Sequence, residues 1–146
     1  MPTPEPSVAP GPGLPAGVAG TIYPAIDPHA AVVAAAVGRV RALGGTLAPD
    51  EALAVVVVAG VPDEWHADFL AIGRCESSLS PYAVGDGGAS LGWLQLWSGW
   101  YAAAGEDASQ WADPVVSART ALYVRKVRGR FGGGGGWSCA NRLGIP

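Results

Sequence analysis

The sequence predicts an all-α domain that carries one short β-hairpin or loop as a lip. Three observations lead there. Four apolar segments open on helix-start signals: Asp27-Pro28, Pro49-Asp50-Glu51, Pro62-Asp63-Glu64 and Asp113-Pro114. A single Gly-rich stretch, Gly85 to Ser90, interrupts them with turn chemistry. The chain has 146 residues, 49% hydrophobic and 14% charged, which suits one packed core and excludes both a disordered chain and two linked domains.

Residues 1–20 are Pro, Gly, Ala and small polar residues without periodicity, so they read as a flexible or extended tail. The domain is expected over 21–146, with order starting near Tyr23. An Asp cap followed by Pro at the first helical position starts a helix at Asp27-Pro28, and Gly44-Gly45 ends it after Leu43. The next segment, Pro49 to about Ala59, contains four consecutive Val and is compatible with a buried strand. Its Ala content and its helical flanks favour a helix.

The third segment places Trp65, Phe69 and Ile72 at spacings of four and three, one face of a helix, with Asp63 and Glu64 in the first turn and Ser80-Pro81 as the stop. Gly85-Asp86-Gly87-Gly88-Ala89-Ser90 then forms a turn or short hairpin. It leads into Leu91 to Tyr101, which holds three of the six Trp. Asp113-Pro114 starts a last long helix to about Arg130, which the five Gly at 132–136 stop. Trp137-Ser138-Cys139 is expected to dock back on the domain.

Glu76 continues the apolar face of the third helix, four positions beyond Ile72 and eleven beyond Trp65. A carboxylate near a helix C-terminus is disfavoured by the dipole, and its burial is costly. Both effects raise its pKa, as a general acid requires when it must protonate a poor leaving group. The alternative is an exposed Glu in a frayed last turn. The two cysteines, Cys75 and Cys139, either join in a disulfide closing a loop of about 65 residues or remain free thiols. Both flank segments that matter for other reasons, which favours the disulfide. With His29 and His66 they do not make a metal site, and a single acid in the Gly-rich loop argues against a metal at Asp86.

Cys75-Glu76-Ser77-Ser78, followed by Ser80-Pro81-Tyr82-Ala83-Val84, resembles the signature of the soluble lytic transglycosylase and goose-type lysozyme superfamily. There a Glu-Ser pair ends a helix before a short Asn-Pro-type turn. The next family block, a Ser before Gly-Leu-Met/Phe-Gln, has its counterpart in Ser90-Leu91-Gly92-Trp93-Leu94-Gln95. The last block, a helix that brings a Tyr to the active site, is matched approximately by Asp113-Pro114 and Tyr123. The likeness covers about 62–139 and leaves the helices over 27–60 as additions. Ser80, Trp93 and Ser117 depart from the residues usual at their positions.

This resemblance implies a lysozyme-like fold with the lip beside a cleft. It implies cleavage of the β-1,4 bond between N-acetylmuramic acid and N-acetylglucosamine in peptidoglycan, without a cofactor. Glu76 would be acid and then base, and Ser90, Gln95, Tyr82, Trp93 and Tyr123 would bind substrate, with Tyr123 bonding near the Glu76 carboxyl. Attack by the muramic acid 6-hydroxyl would give a 1,6-anhydro product. Attack by water would give hydrolysis and would need a second carboxylate about 6.5–9.5 Å away, for which Asp86 is placed best. The alternative class is a non-catalytic wall-binding or phage-tail structural module.

Charge is distributed unevenly. All 12 acids lie at or before Asp113 with three Arg, giving −9, and six Lys or Arg follow, five of them between Arg119 and Arg130, giving +6. That stripe points to an anionic partner such as a wall polymer, or is a solvated helix face. No nucleic-acid motif accompanies it, and the Gly run lacks a phosphate-loop Lys, so nucleic acid is not expected. The longest apolar run, Ala52 to Val61, is too short to insert in a membrane, and the first residues lack signal-peptide character. The expected molecule is a monomer acting on the wall from an extracellular, periplasmic or virion-associated position, delivered by other means.

Overall fold

The computed structural model describes residues 27–146. The tail expected over 1–20 and the start of order expected near Tyr23 lie outside them. Asp27 caps the first helix, α1 (Pro28–Leu43), by accepting the His29 N–H at 2.9 Å. Gly44, at φ 75°, closes it. The Val-rich segment is helical: α2 (Pro49–Val58) buries Ala52, Ala54, Val55 and Val56. Glu51 anchors its start. One of its oxygens accepts the Ala48 N–H at 2.8 Å, and the carboxylate also grips the Arg39 guanidinium of α1. The second helix packs against α1 on one side and against the two helices that carry the rest of the domain on the other.

Asp63 and Glu64 lie in a 3-10 turn (Asp63–Trp65) that precedes α3 (His66–Ser77), so they are not in the first turn of the α-helix itself. The helix also stops before the expected Ser80-Pro81 boundary. Ser78 and Leu79 adopt left-handed conformations, φ 56° and 64°. Their amides close back on Arg74 and Gly73 carbonyls, which satisfies the end of the helix. The Ser77 hydroxyl donates to the Trp93 carbonyl at 2.7 Å and so ties this end to the next part of the chain.

The lip is a three-stranded antiparallel sheet of minimal strands: β1 (Val84–Gly85), β2 (Ser90–Leu91) and β3 (Leu96–Trp97). Ser90 pairs with both Gly85 and Trp97. A short helix α4 (Gly99–Ala103) follows. Asp113 caps α5 (Pro114–Arg128) by accepting from Val115 and Val116. This helix ends at Gly129, φ 76°, one turn before the Gly run and before Arg130. Trp137-Ser138-Cys139 docks as expected and starts α6 (Ser138–Leu143). The described chain is thus predominantly helical with a small sheet.

The core runs through α3, α5 and the 91–101 segment, where Phe69, Ile72, Trp93, Leu94 and Tyr101 are almost wholly inaccessible. Gly92, at φ 87°, is required here: a Cβ on it would stand 2.5 Å from Ser117 Oγ and 2.8 Å from Tyr101 Oη. Those two hydroxyls are 3.0 Å apart, and they satisfy the Leu91 and Trp111 carbonyls. Burial pushes the Tyr101 phenol up to about 12, so it remains a donor.

The basic stripe is largely occupied inside the molecule. Arg119 makes a bidentate pair with Glu106 at 2.8 Å, which holds that carboxyl below its ordinary pKa. Arg125 stacks on Trp65 and Phe131, 4.5 and 4.9 Å from the ring centres. Arg128 donates to the carbonyls of Arg130, Phe131, Gly132 and Gly134. Of the five expected partner-facing charges, Arg119, Lys126 and Arg130 are exposed, and Arg119 is already paired with Glu106.

Candidate functional site

Glu76 lies in the last turn of α3, half-buried, and opens into a cleft of about 220 Å³. The lip forms one side of this cleft with Asp86, Ser90, Gln95 and Trp97. The segment from Gly135 to Ser138 and Trp100 of α4 also line it. The two carboxyl groups that the sequence singled out therefore share one cavity.

Their surroundings differ. Burial raises the Glu76 carboxyl above its ordinary pKa. The Cys139 N–H, which donates to Glu76 Oε2 at 3.2 Å, and the Arg142 charge oppose this, while the Asp86 charge adds to it. Asp86 is exposed, at φ 50°, a left-handed conformation that Asp tolerates better than most residues. Its Oδ2 accepts the Ser90 hydroxyl at 2.5 Å. The Ser90 bond and a 3-10 turn (Asp86–Gly88) hold the carboxylate beside the sheet.

Cys75 and Cys139 form a disulfide that places α6 directly beside Glu76. The bridge explains why a backbone amide from residue 139 reaches a carboxyl of residue 76. Arg142 lies over it, with Nη1 3.2 Å from Cys75 Sγ. Gln95 holds the lip together: Nε2 donates to the Gly92 carbonyl at 3.0 Å and the Ala83 carbonyl at 3.2 Å. Its oxygen fills the space beside Gly85, where a Cβ would stand 2.3 Å away.

Comparison with known proteins finds no match: no family model, no curated protein and no solved structure resembles this chain significantly. The site is therefore characterised by its own geometry.

That geometry corrects three expectations. Trp93 does not line the cleft. It is completely buried, donating its indole N–H to the Pro114 carbonyl at 3.0 Å, and serves as the centre of the core. Tyr82 is exposed on a different surface, edge-on to Trp111 and beside a second cavity with Arg41 and Gln110. Tyr123 does not bond to the Glu76 carboxyl, whose hydrogen bond among the described residues comes from Cys139. It packs against Trp100, ring centres 6.2 Å apart, and so backs one wall of the cleft from outside. Ser90 and Gln95 do line the cleft, although their polar groups are engaged with the lip itself.

Sequence reasoning missed Trp97, Trp100, Trp137 and Arg142. The alternation that exposes Trp97 becomes visible only with the strand itself. Leu96 and Trp97 form a two-residue strand, in which neighbouring side chains point to opposite faces. Leu96 is buried, and Trp97 is 60% exposed. No short-range pattern marks Trp137 or Arg142, because the disulfide brings them to the site.

Among the described residues, no three His, Cys, Asp or Glu gather to hold a metal ion, and no helix is long and apolar enough to cross a membrane.

Proposed function

We propose that this protein cleaves the glycan strands of peptidoglycan at the β-1,4 bond between N-acetylmuramic acid and N-acetylglucosamine. The observation that carries the proposal is the half-buried Glu76, raised in pKa by burial, facing the same cleft as the exposed Asp86. It adds to the resemblance of the 75–84 and 90–95 motifs to the lytic transglycosylase and goose-type lysozyme signature. A carboxyl that keeps its proton longer can donate it to the glycosidic oxygen as the C1–O bond breaks. When the muramic acid 6-hydroxyl is the nucleophile, the resulting Glu76 carboxylate then takes that hydroxyl's proton.

Two nucleophiles fit this arrangement. The muramic acid 6-hydroxyl, attacking C1 of its own ring, gives a 1,6-anhydro end and needs no second base. Water requires activation from the opposite side, a role that falls to Asp86 held by Ser90. The disulfide favours action in an oxidising environment such as the cell wall. Lys126 and Arg130 supply weak attraction to an anionic wall.

The test is digestion of purified peptidoglycan, with the products read by mass spectrometry. Muropeptides with 1,6-anhydro ends identify the intramolecular route; reducing muramic acid ends identify hydrolysis. Wall binding without release of any muropeptide would sink the enzymatic reading and leave a binding module.

A further inference from the structure

We infer that Trp97 is the platform on which a pyranose ring of the glycan stacks, on the Asp86 side of the cleft; this rests on the glycan-cleaving reading. Of the three indoles that line the cleft, Trp97 is the one most open to water: it is 60% exposed, whereas Trp100 is only partly exposed and Trp137 is 7% exposed. An indole left in water inside a cavity otherwise rich in polar groups has no structural use for its free surface. Sugars linked β-1,4 offer a complement. Their ring substituents are equatorial, so each pyranose presents a face of C–H groups that fits the electron-rich face of an indole.

The ring's position is fixed by the lip. Trp97 pairs with Ser90 across the antiparallel strands. Residues directly opposite in such a pair project to the same face of the sheet. Ser90 in turn bonds Asp86. A sugar lying on Trp97 is thereby brought beside the Asp86 carboxylate, in the cavity into which Glu76 opens.

The indole also rests on bare backbone. The six-membered part of the ring lies against Gly99, where an added Cβ would stand 2.3 Å from Cζ3 and 2.4 Å from Cη2. Gly99 is the first residue of α4 and its backbone does not require glycine. A methyl group there displaces the ring without straining the chain. The platform can thus be removed by deletion or moved by a neighbour, two independent perturbations with one expected outcome.

The experiment uses the full chain with Glu76→Gln, so that bound glycan is not cut, and peptide-stripped peptidoglycan glycan strands as the probe. Trp97→Ala in that background is expected to weaken binding about tenfold, as loss of one stacked ring would. Trp97→Phe should restore most of the affinity, and Gly99→Ala should weaken it with Trp97 still present. With Glu76 intact, Trp97→Ala should raise KM and leave kcat at saturating substrate largely unchanged. Equal binding by the Trp97→Ala and parent proteins, in a protein whose unsubstituted form cleaves peptidoglycan, overturns the platform alone. Absence of both cleavage by the unsubstituted protein and binding by Glu76→Gln overturns the glycan-cleaving reading, and the platform with it.

Discussion

Glu76 is held in a place that its charged form does not favour. Its pKa is raised in the folded chain, so between the unfolded value, about 4.3, and the folded value the native state binds more protons than the unfolded state. Stability contributed by this group is therefore fully present at acid pH and declines as pH rises through that window. Glu76→Gln keeps an oxygen for the Cys139 N–H and removes the charge. Its Tm at pH 7 should equal or exceed that of the parent, the difference vanishing below about pH 4, while peptidoglycan cleavage is lost. A clear drop in Tm at pH 7 would contradict this account. Periodicity was sufficient to put Glu76 on the inner side of its helix. It could not distinguish Trp93 from Trp97, because Trp93-Leu94-Gln95-Leu96-Trp97 is symmetric about Gln95 and does not say which indole faces the core until the strand at 96–97 is known. Trp93 fills the core, so Trp93→Ala should cost about 3–5 kcal/mol in urea unfolding, whereas Trp97→Ala should leave the midpoint nearly unchanged.

The elements around the cleft are joined by small residues at close contacts. Gly73 in α3 faces the Trp93 ring, and a Cβ there would stand 2.4 Å from Cε3. Gly73→Ala must therefore push the indole or the helix aside. A loss of about 1–3 kcal/mol is expected, and chemical denaturation at pH 7 measures it. The loop between α5 and α6 depends on Arg128, whose guanidinium collects four carbonyls. Lys in its place keeps the charge but cannot span them. Arg128→Lys should lower Tm and raise amide exchange at Gly135 and Gly136, which line the cleft. Exchange identical to the parent would show that the loop holds its shape without the fork. Helix starts were legible because Asp and Pro act locally at Asp27-Pro28 and Asp113-Pro114. Two ends were not. The left-handed Ser78 and Leu79 have no glycine to announce them, and Gly129 is masked by the more conspicuous Gly run that follows it.

Across the whole molecule, α1 and α2 brace the domain from behind: α2 packs on α3 and α5, and α1 packs on α2. The alternatives left open by the cysteines and the Val run were decided by long-range packing, which local composition does not encode. Removing the bridge with Cys75→Ser and Cys139→Ser together should lower stability by about 4 kcal/mol in the chain-entropy account, read from urea unfolding with the parent oxidised. The residues that line the cleft, from Glu76 to Ser138, all fall between the two half-cystines. The site is thus contained in a covalent ring, with the two bracing helices hung outside it. One backbone cut in the exposed turn at Gly133–Gly135 would open that ring into a two-armed chain without dividing the molecule. A nicked protein would run as a single species until reduced, and its cleft would still be bounded by every group it had before.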